Sequence, residues 1–258
     1  MNQNEIKYFR DKELSLFDAT SLPVDYLLKS LFIKIRRKTW GRVIDKKARL
    51  AWTATAVSDA TGPADNVRNY LERQTIRSTL SGISAQYPMK SACEIGCGYG
   101  RLIMVLKEFA EKVVGFEREA HLLEMARPLL PSIDFRRVDS LDRLRGEQAE
   151  EFDFAMTCSV LQHLTDDLCR SVLSEIKNIA PKGHVLIIEK TEDIATTDNT
   201  RDGDCFLSRA RSPEMYARWM APYSLVSVSD RVVEPGYYNP APGKCMLFKS
   251  PHCEGAAK

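Results

Sequence analysis

The sequence predicts an α/β fold, a doubly wound parallel sheet covered by helices with a helical region ahead of it, and three observations lead there. From Ser91 onward, short apolar runs alternate with longer stretches of helical spacing, as in a sheet layered between helices. The stretch CEIGCGYGRL at 93–102 sets Gly96, Gly98 and Gly100 at the end of the first run, where open α/β folds place a turn that approaches a ligand closely. Before Ser91, apolar residues such as Leu27, Leu28, Leu31, Phe32 and Ile35 share helical spacing with cations between them. Residues 1–88 are therefore expected to form a helical cap and residues 89–258 the α/β domain.

The elements follow in order. SDATGPAD at 58–65 has turn chemistry, and its last residue, Asp65, can cap a helix through Asn66, Tyr70, Ile76 and Leu80 that Ser81 and Gly82 weaken near its end. Strands are expected over 92–95, 112–117, 133–138, 152–158 and 184–189. Helices are expected over 101–110, over 119–127 ahead of Pro128, and over 166–179 ahead of Pro181 and Gly183. Ser212 can cap a helix whose first residue is Pro213, which predicts a helix over 213–220. The runs at 225–233 and 245–250 then make a terminal pair of strands joined by EPGYYNPAPGK.

A chain of 258 residues, 44% of them hydrophobic and 28% charged, can bury a full core. Its seven cysteines lack paired CxxC spacing, which points to neither a disulfide framework nor a zinc site and fits reduced thiols in a cytoplasmic protein; no metal is expected. The opening MNQNEIKYFRDKELSLF has no uninterrupted apolar core, so neither a signal peptide nor a membrane span is expected. Although the net charge is only +2, Lys29 to Arg49 carries nine Lys or Arg against the single Asp45. That window reads first as a solvated helix face, and otherwise as a grip on an anionic acceptor or a contact with nucleic acid or a membrane surface. Sparse aromatics there (Phe32, Trp40) and a near-balanced total charge weigh against nucleic acid.

The glycines read GxGxG, with Arg101 where a dinucleotide fingerprint needs its third glycine. Glu94 stands two residues before them. A pyrophosphate would be repelled by that carboxylate, whereas a ligand carrying an ammonium and a sulfonium would be favoured, which points to S-adenosylmethionine. Glu117, closing the second strand, lies at the distance where such folds place an acid on ribose hydroxyls, and Asp139, after the third, can accept from an adenine amino group.

EIGCGYG, GFE, VDSLD, FDFAMTCSVLQHL and APKGHVLIIEK, in this order and spacing, resemble the successive motifs of the class I S-adenosylmethionine-dependent methyltransferases over roughly residues 90 to 250. The resemblance implies a Rossmann-like seven-stranded sheet with an antiparallel last strand. It also implies cofactor contacts from Glu94, Gly96, Cys97, Gly98 and Gly100 in the glycine loop, Glu117, then Asp139, Ser140 and Leu141, and Cys158 with Ser159 beneath the cofactor. Cys97 departs from the more usual small or acidic residue, and His184 stands where a second glycine is common.

Methyl transfer needs alignment first and sometimes a base for the acceptor. His163, beyond the fourth strand, is the candidate catalytic residue, because imidazole titrates near neutrality and this edge faces the cleft. Tyr70, Arg73 and Arg77 of the cap, with Asp202 and Asp204 of the acidic stretch TEDIATTDNTRDGDC, are candidate acceptor contacts. The function expected is methyl transfer to a small molecule, at oxygen before nitrogen. The alternatives are N-methylation of a protein or peptide amine, which a faint likeness of His163–Asp166, Asp202 and Asp204 to the α-N-terminal protein methyltransferases suggests, and a non-catalytic binding subunit of the same fold.

Overall fold

The computed structural model describes residues 63–144, 150–191, 209–232 and 243–253. The chain divides into two compact units, residues 1–70 with 234–241 and residues 71–233 with 242–258. Of the first, the described part is the opening of helix α1 (Pro63–Ser84), whose second half belongs to the second unit. Ile76, Leu80 and Ile83 project from one face of that half, at helical spacing, into the core beneath the sheet. Glu72 lies one turn before Ile76 on the same face and is only 1% exposed.

The second unit is built on a seven-stranded sheet of order β3-β2-β1-β4-β5-β7-β6. Its strands are β1 (Met89–Ile95), β2 (Ala110–Glu117), β3 (Asp134–Arg137), β4 (Phe154–Cys158), β5 (His184–Glu189), β6 (Ser224–Asp230) and β7 (Lys244–Lys249). β1 to β5 pair in parallel, while β7 runs antiparallel to both β5 and β6. The reversal of strand order at β1 and β4 makes a topological switch point at the carboxyl edge.

Helices cover both faces. The second half of α1, with α2 (Ile103–Lys107) and α3 (Ala120–Leu129), packs on one core; α4 (Asp166–Ile179) and α5 (Pro213–Met220) pack on the other. α4 starts where Thr165 accepts from the Leu168 amide, and Cys169, Val172, Leu173, Ile176 and Ile179 form its buried stripe. Ser212 caps α5 through the Met215 amide.

Most bounds agree with the sequence to within a few residues, and two differences have clear causes. α2 is shorter than the expected 101–110, because Ala110 is already in β2, paired with Met89. α3 continues past Pro128 to Leu129, since the proline forfeits only its own bond to the preceding turn and the Leu130 amide still donates to the Ala126 carbonyl. The expected strand over 225–233 is β6, ending at Asp230.

Candidate active site

The carboxyl edge gathers the turns after β1, β2, β3 and β4. Gly96, Gly98 and Gly100 have φ of 70°, 57° and 88°, the left-handed region that glycine enters without strain. The amides of Gly96 and Cys97 both donate to the Phe116 carbonyl, at 2.8 and 3.1 Å. A Cβ on Gly96 would lie 2.4 Å from Cγ2 of Val160, so the turn after β4 abuts the glycine turn with no room for a side chain. Around Gly98, in contrast, no described atom lies within 4 Å of such a Cβ, and backbone faces open space there.

Glu117 closes this turn from the next strand. Its Oε2 accepts from the Gly98 amide at 2.8 Å, and its Oε1 accepts from the amides of Arg118 and Glu119 at 2.7 and 2.9 Å. Burial pushes its carboxyl up from the ordinary range, and the three amide bonds pull against that. The Glu117 carbonyl then accepts from Val138, which sets Asp139 at the mouth of β3, where it is exposed. Ser140 bonds Asp142 through its hydroxyl, and Leu141 packs at the edge of the second core.

Glu94 is 3% exposed, and its Oε2 has no hydrogen-bond partner. Burial raises its pKa to about 8, against the lowering pull of Arg101 and with a further push from Glu117. A buried, unsatisfied carboxyl oxygen next to a bare glycine turn is costly in isolation and suits a cationic ligand that completes it. This is the observation by which these residues fit S-adenosylmethionine. Cys97 and Cys158 are buried thiols whose pKa values burial raises, so what they can offer a ligand is backbone.

Three features of this edge carry no signal that the sequence reading used. First, Glu72 binds two guanidinium groups at once, Arg101 Nη1 through Oε2 and Arg231 Nε through Oε1 at 2.6 Å; Arg231 Nη2 also donates to Cys158 Sγ at 3.5 Å. Second, Glu189 at the end of β5 is fully buried and accepts from the amides of Val160, Leu161 and Gln162 at 2.9, 2.9 and 3.1 Å. Burial raises its pKa to about 7, opposed by those bonds. Third, Arg211, 1% exposed, donates to the carbonyls of Leu161 and Leu164 at 2.7 and 2.6 Å and to Asp166 at 2.9 Å.

Glu189 and Arg211 thus hold the turn after β4 from both ends, the carboxylate taking its amides and the guanidinium its carbonyls. Glu189 was findable in the sequence, since it ends a buried strand with an acid as Glu117 does and Glu94 nearly does. The pairs made by Glu72 and Arg211 bridge long stretches of chain, with nothing local to mark them.

His163 sits in this turn, in the 3-10 helix Leu161–His163, with Nε2 3.2 Å from Gln162 Nε2. Arg73 spends its guanidinium on the Arg101 carbonyl, at 3.1 and 2.8 Å, and Arg77 pairs with Glu108 at 2.6 Å. Tyr70 is 61% exposed on α1. Asp202, Asp204 and the basic window Lys29–Arg49 lie outside the described residues. Among the described residues, no cluster of three or more His, Cys, Asp or Glu could hold a metal ion, and no helix is long and apolar enough to cross a membrane.

A sheet of this order, with a glycine turn tied to an acid on the next strand, defines the class I S-adenosylmethionine-dependent methyltransferase fold. The comparisons agree: residues 92–183 match the family model of the methyltransferase domain. That match identifies a methyltransferase domain over residues 92–183.

Solved structures of similar fold include an S-adenosylmethionine-dependent methyltransferase from Leishmania major, with 20% identity, TM-score 0.60, and 75% of this chain and 77% of that one covered. The N-methyltransferase NodS from Bradyrhizobium japonicum, bound to S-adenosylhomocysteine, has 19% identity, TM-score 0.53, and coverage of 75% and 90%. The DhpI complex with S-adenosylhomocysteine has 18% identity, TM-score 0.53, and coverage of 78% and 93%. No curated protein matches the sequence.

Proposed function

We propose that this methyltransferase acts on a small-molecule acceptor, at a hydroxyl oxygen. S-adenosylmethionine supplies the methyl group, already activated at its sulfonium. Glu94, the backbone of Gly96 to Gly100, Glu117, and Asp139 with Ser140 and Leu141 would hold it, and the Cys158–Ser159 backbone would lie beneath it.

The observation that favours a small, non-cationic acceptor is how the carboxylates of this edge are spent. Glu72 binds Arg101 and Arg231, while Glu117 and Glu189 face inward onto backbone amides. Asp142 accepts from Ser140 and Asp166 from Arg211, and Glu94 and Asp139 lie on the cofactor's side, where they would serve the cofactor rather than draw in an amine. Transfer between aligned groups gains most from positioning, and the turn held by Glu189 and Arg211 offers a rigid floor for it.

The name of NodS carries the second reading, N-methylation. Radiolabelled methyl transfer to a panel of hydroxylated small molecules and, in parallel, to peptides with free N-terminal amines separates the two. Label in the hydroxylated compounds is expected, and label confined to the peptides would overturn the proposal. Failure to bind S-adenosylhomocysteine by calorimetry would remove the cofactor site itself.

A further inference from the structure

Gln162 is fixed on every side. Its amide donates to Glu189 Oε2 at 3.1 Å and its carbonyl accepts from the Arg209 amide at 2.7 Å. Its side-chain Oε1 accepts from the Lys190 amide at 3.0 Å, and its Nε2 stands 3.2 Å from His163 Nε2.

The contacts of Gln162 fix the direction of its own bonds. A backbone N–H can only donate, so the Gln162 atom facing Lys190 is the oxygen and the atom facing His163 is the NH2. An NH2 group can only donate in turn. His163 Nε2 must therefore accept, because a proton on it would set two donors against each other at 3.2 Å. A neutral imidazole with an unprotonated Nε2 carries its proton on Nδ1.

We infer that Gln162 is a positioning residue that sets the tautomer of His163, holding the ring neutral with its proton on Nδ1 and its Nε2 lone pair engaged. His163 then carries its N–H on Nδ1, a buried atom, and Nε2 can take a proton only by giving up the bond from Gln162. A general-base role for His163 would cost the Gln162 bond, whereas a donor role through Nδ1 keeps it. This catalytic consequence rests on the methyltransferase reading above, whereas the tautomer does not.

The test is 15N-edited NMR of the imidazole side chains in the full chain, which has four histidines. The His163 signals are assigned by their loss in His163→Asn. The wild type is expected to show Nδ1 as the protonated nitrogen and Nε2 as the unprotonated one. Gln162→Glu keeps an acceptor for the Lys190 amide but replaces the donor facing the ring with a second acceptor, so the proton is expected to move to Nε2.

Gln162→Leu, which specifies neither, is expected to give a mixture of the two tautomers. A wild-type ring protonated at Nε2, or a tautomer that stays the same across the three proteins, overturns the inference. Those outcomes are independent of cofactor binding, so they are distinguishable from a failure of the proposed function. If His163 is a donor, turnover with an identified acceptor should fall in Gln162→Glu and Gln162→Leu with the affinity for S-adenosylhomocysteine unchanged.

Discussion

The amide of Gly98 donates to the carboxylate of Glu117 across 2.8 Å, so the glycine turn after β1 and the acid after β2 are one structure. Removing the acid therefore does two things, taking the proposed cofactor contact away and releasing three backbone amides that it satisfies. A lost hydrogen bond to a charged group is worth about 1.5–3 kcal/mol, so Glu117→Ala should weaken S-adenosylhomocysteine binding about ten- to a hundredfold. Calorimetric titration measures it, and unchanged affinity would show that the acid holds only the loop.

Gly96 and Gly98 separate fold from ligand. Gly96→Ala places a methyl 2.4 Å from Val160 at a φ of 70° and should destabilise the protein strongly. Gly98→Ala meets no described atom within 4 Å, so its cost is the left-handed strain of about 1–2 kcal/mol. Its methyl projects where the cofactor is proposed to lie. Denaturant unfolding should rank Gly96→Ala well below Gly98→Ala in stability, while calorimetry should find cofactor affinity lost in the folded Gly98→Ala protein.

Glu72 holds the buried guanidinium of Arg231 and the partly buried one of Arg101, and its removal leaves both without their shared carboxylate. Breaking such a pair costs about 3–5 kcal/mol, so Glu72→Ala should lower the unfolding free energy obtained from urea titration by that much. A loss below about 1 kcal/mol would place the pairing among weak surface bridges.

Glu94 sets a pH dependence. Its folded pKa of about 8 lies above the 4.5 of an unperturbed carboxyl, so the folded state holds the proton more tightly than the unfolded chain. Stability is then full below about 4.5 and is lost as pH rises towards 8, and Glu189, with a folded value of about 7, adds a slope of the same sign. In the protein without cofactor, the melting temperature should fall between pH 5 and 8, and Glu94→Gln, which cannot ionise, should flatten that fall. A wild-type profile no steeper than that of Glu94→Gln would refute the assignment.

Local chemistry made much of this legible beforehand. Ser212 as a cap, Pro213 at a first helical position, and Pro181 with Gly183 after a periodic stretch carry their signals within a few residues, and α4, α5 and β5 have the expected bounds. The glycine turn after β1 was legible for the same reason. The bonds of Glu72 with Arg231 and of Arg211 with Leu161 span 159 and 50 positions, and only the folded sheet brings them together. Arg73 looked available for an acceptor because nothing in a sequence shows that a carbonyl 28 residues on will take its donors.

The turn after β4, with its amides on Glu189 and its carbonyls on Arg211, has consequences for how this enzyme could change its substrate. A platform whose backbone groups are committed on both sides is a poor place for variation, since altering it disturbs two buried charges along with the shape of the floor. New acceptor preferences would arise by exchanging the segments that face this platform while it stays constant. An engineer retargeting the enzyme would leave Val160 to Leu164 untouched and diversify around them.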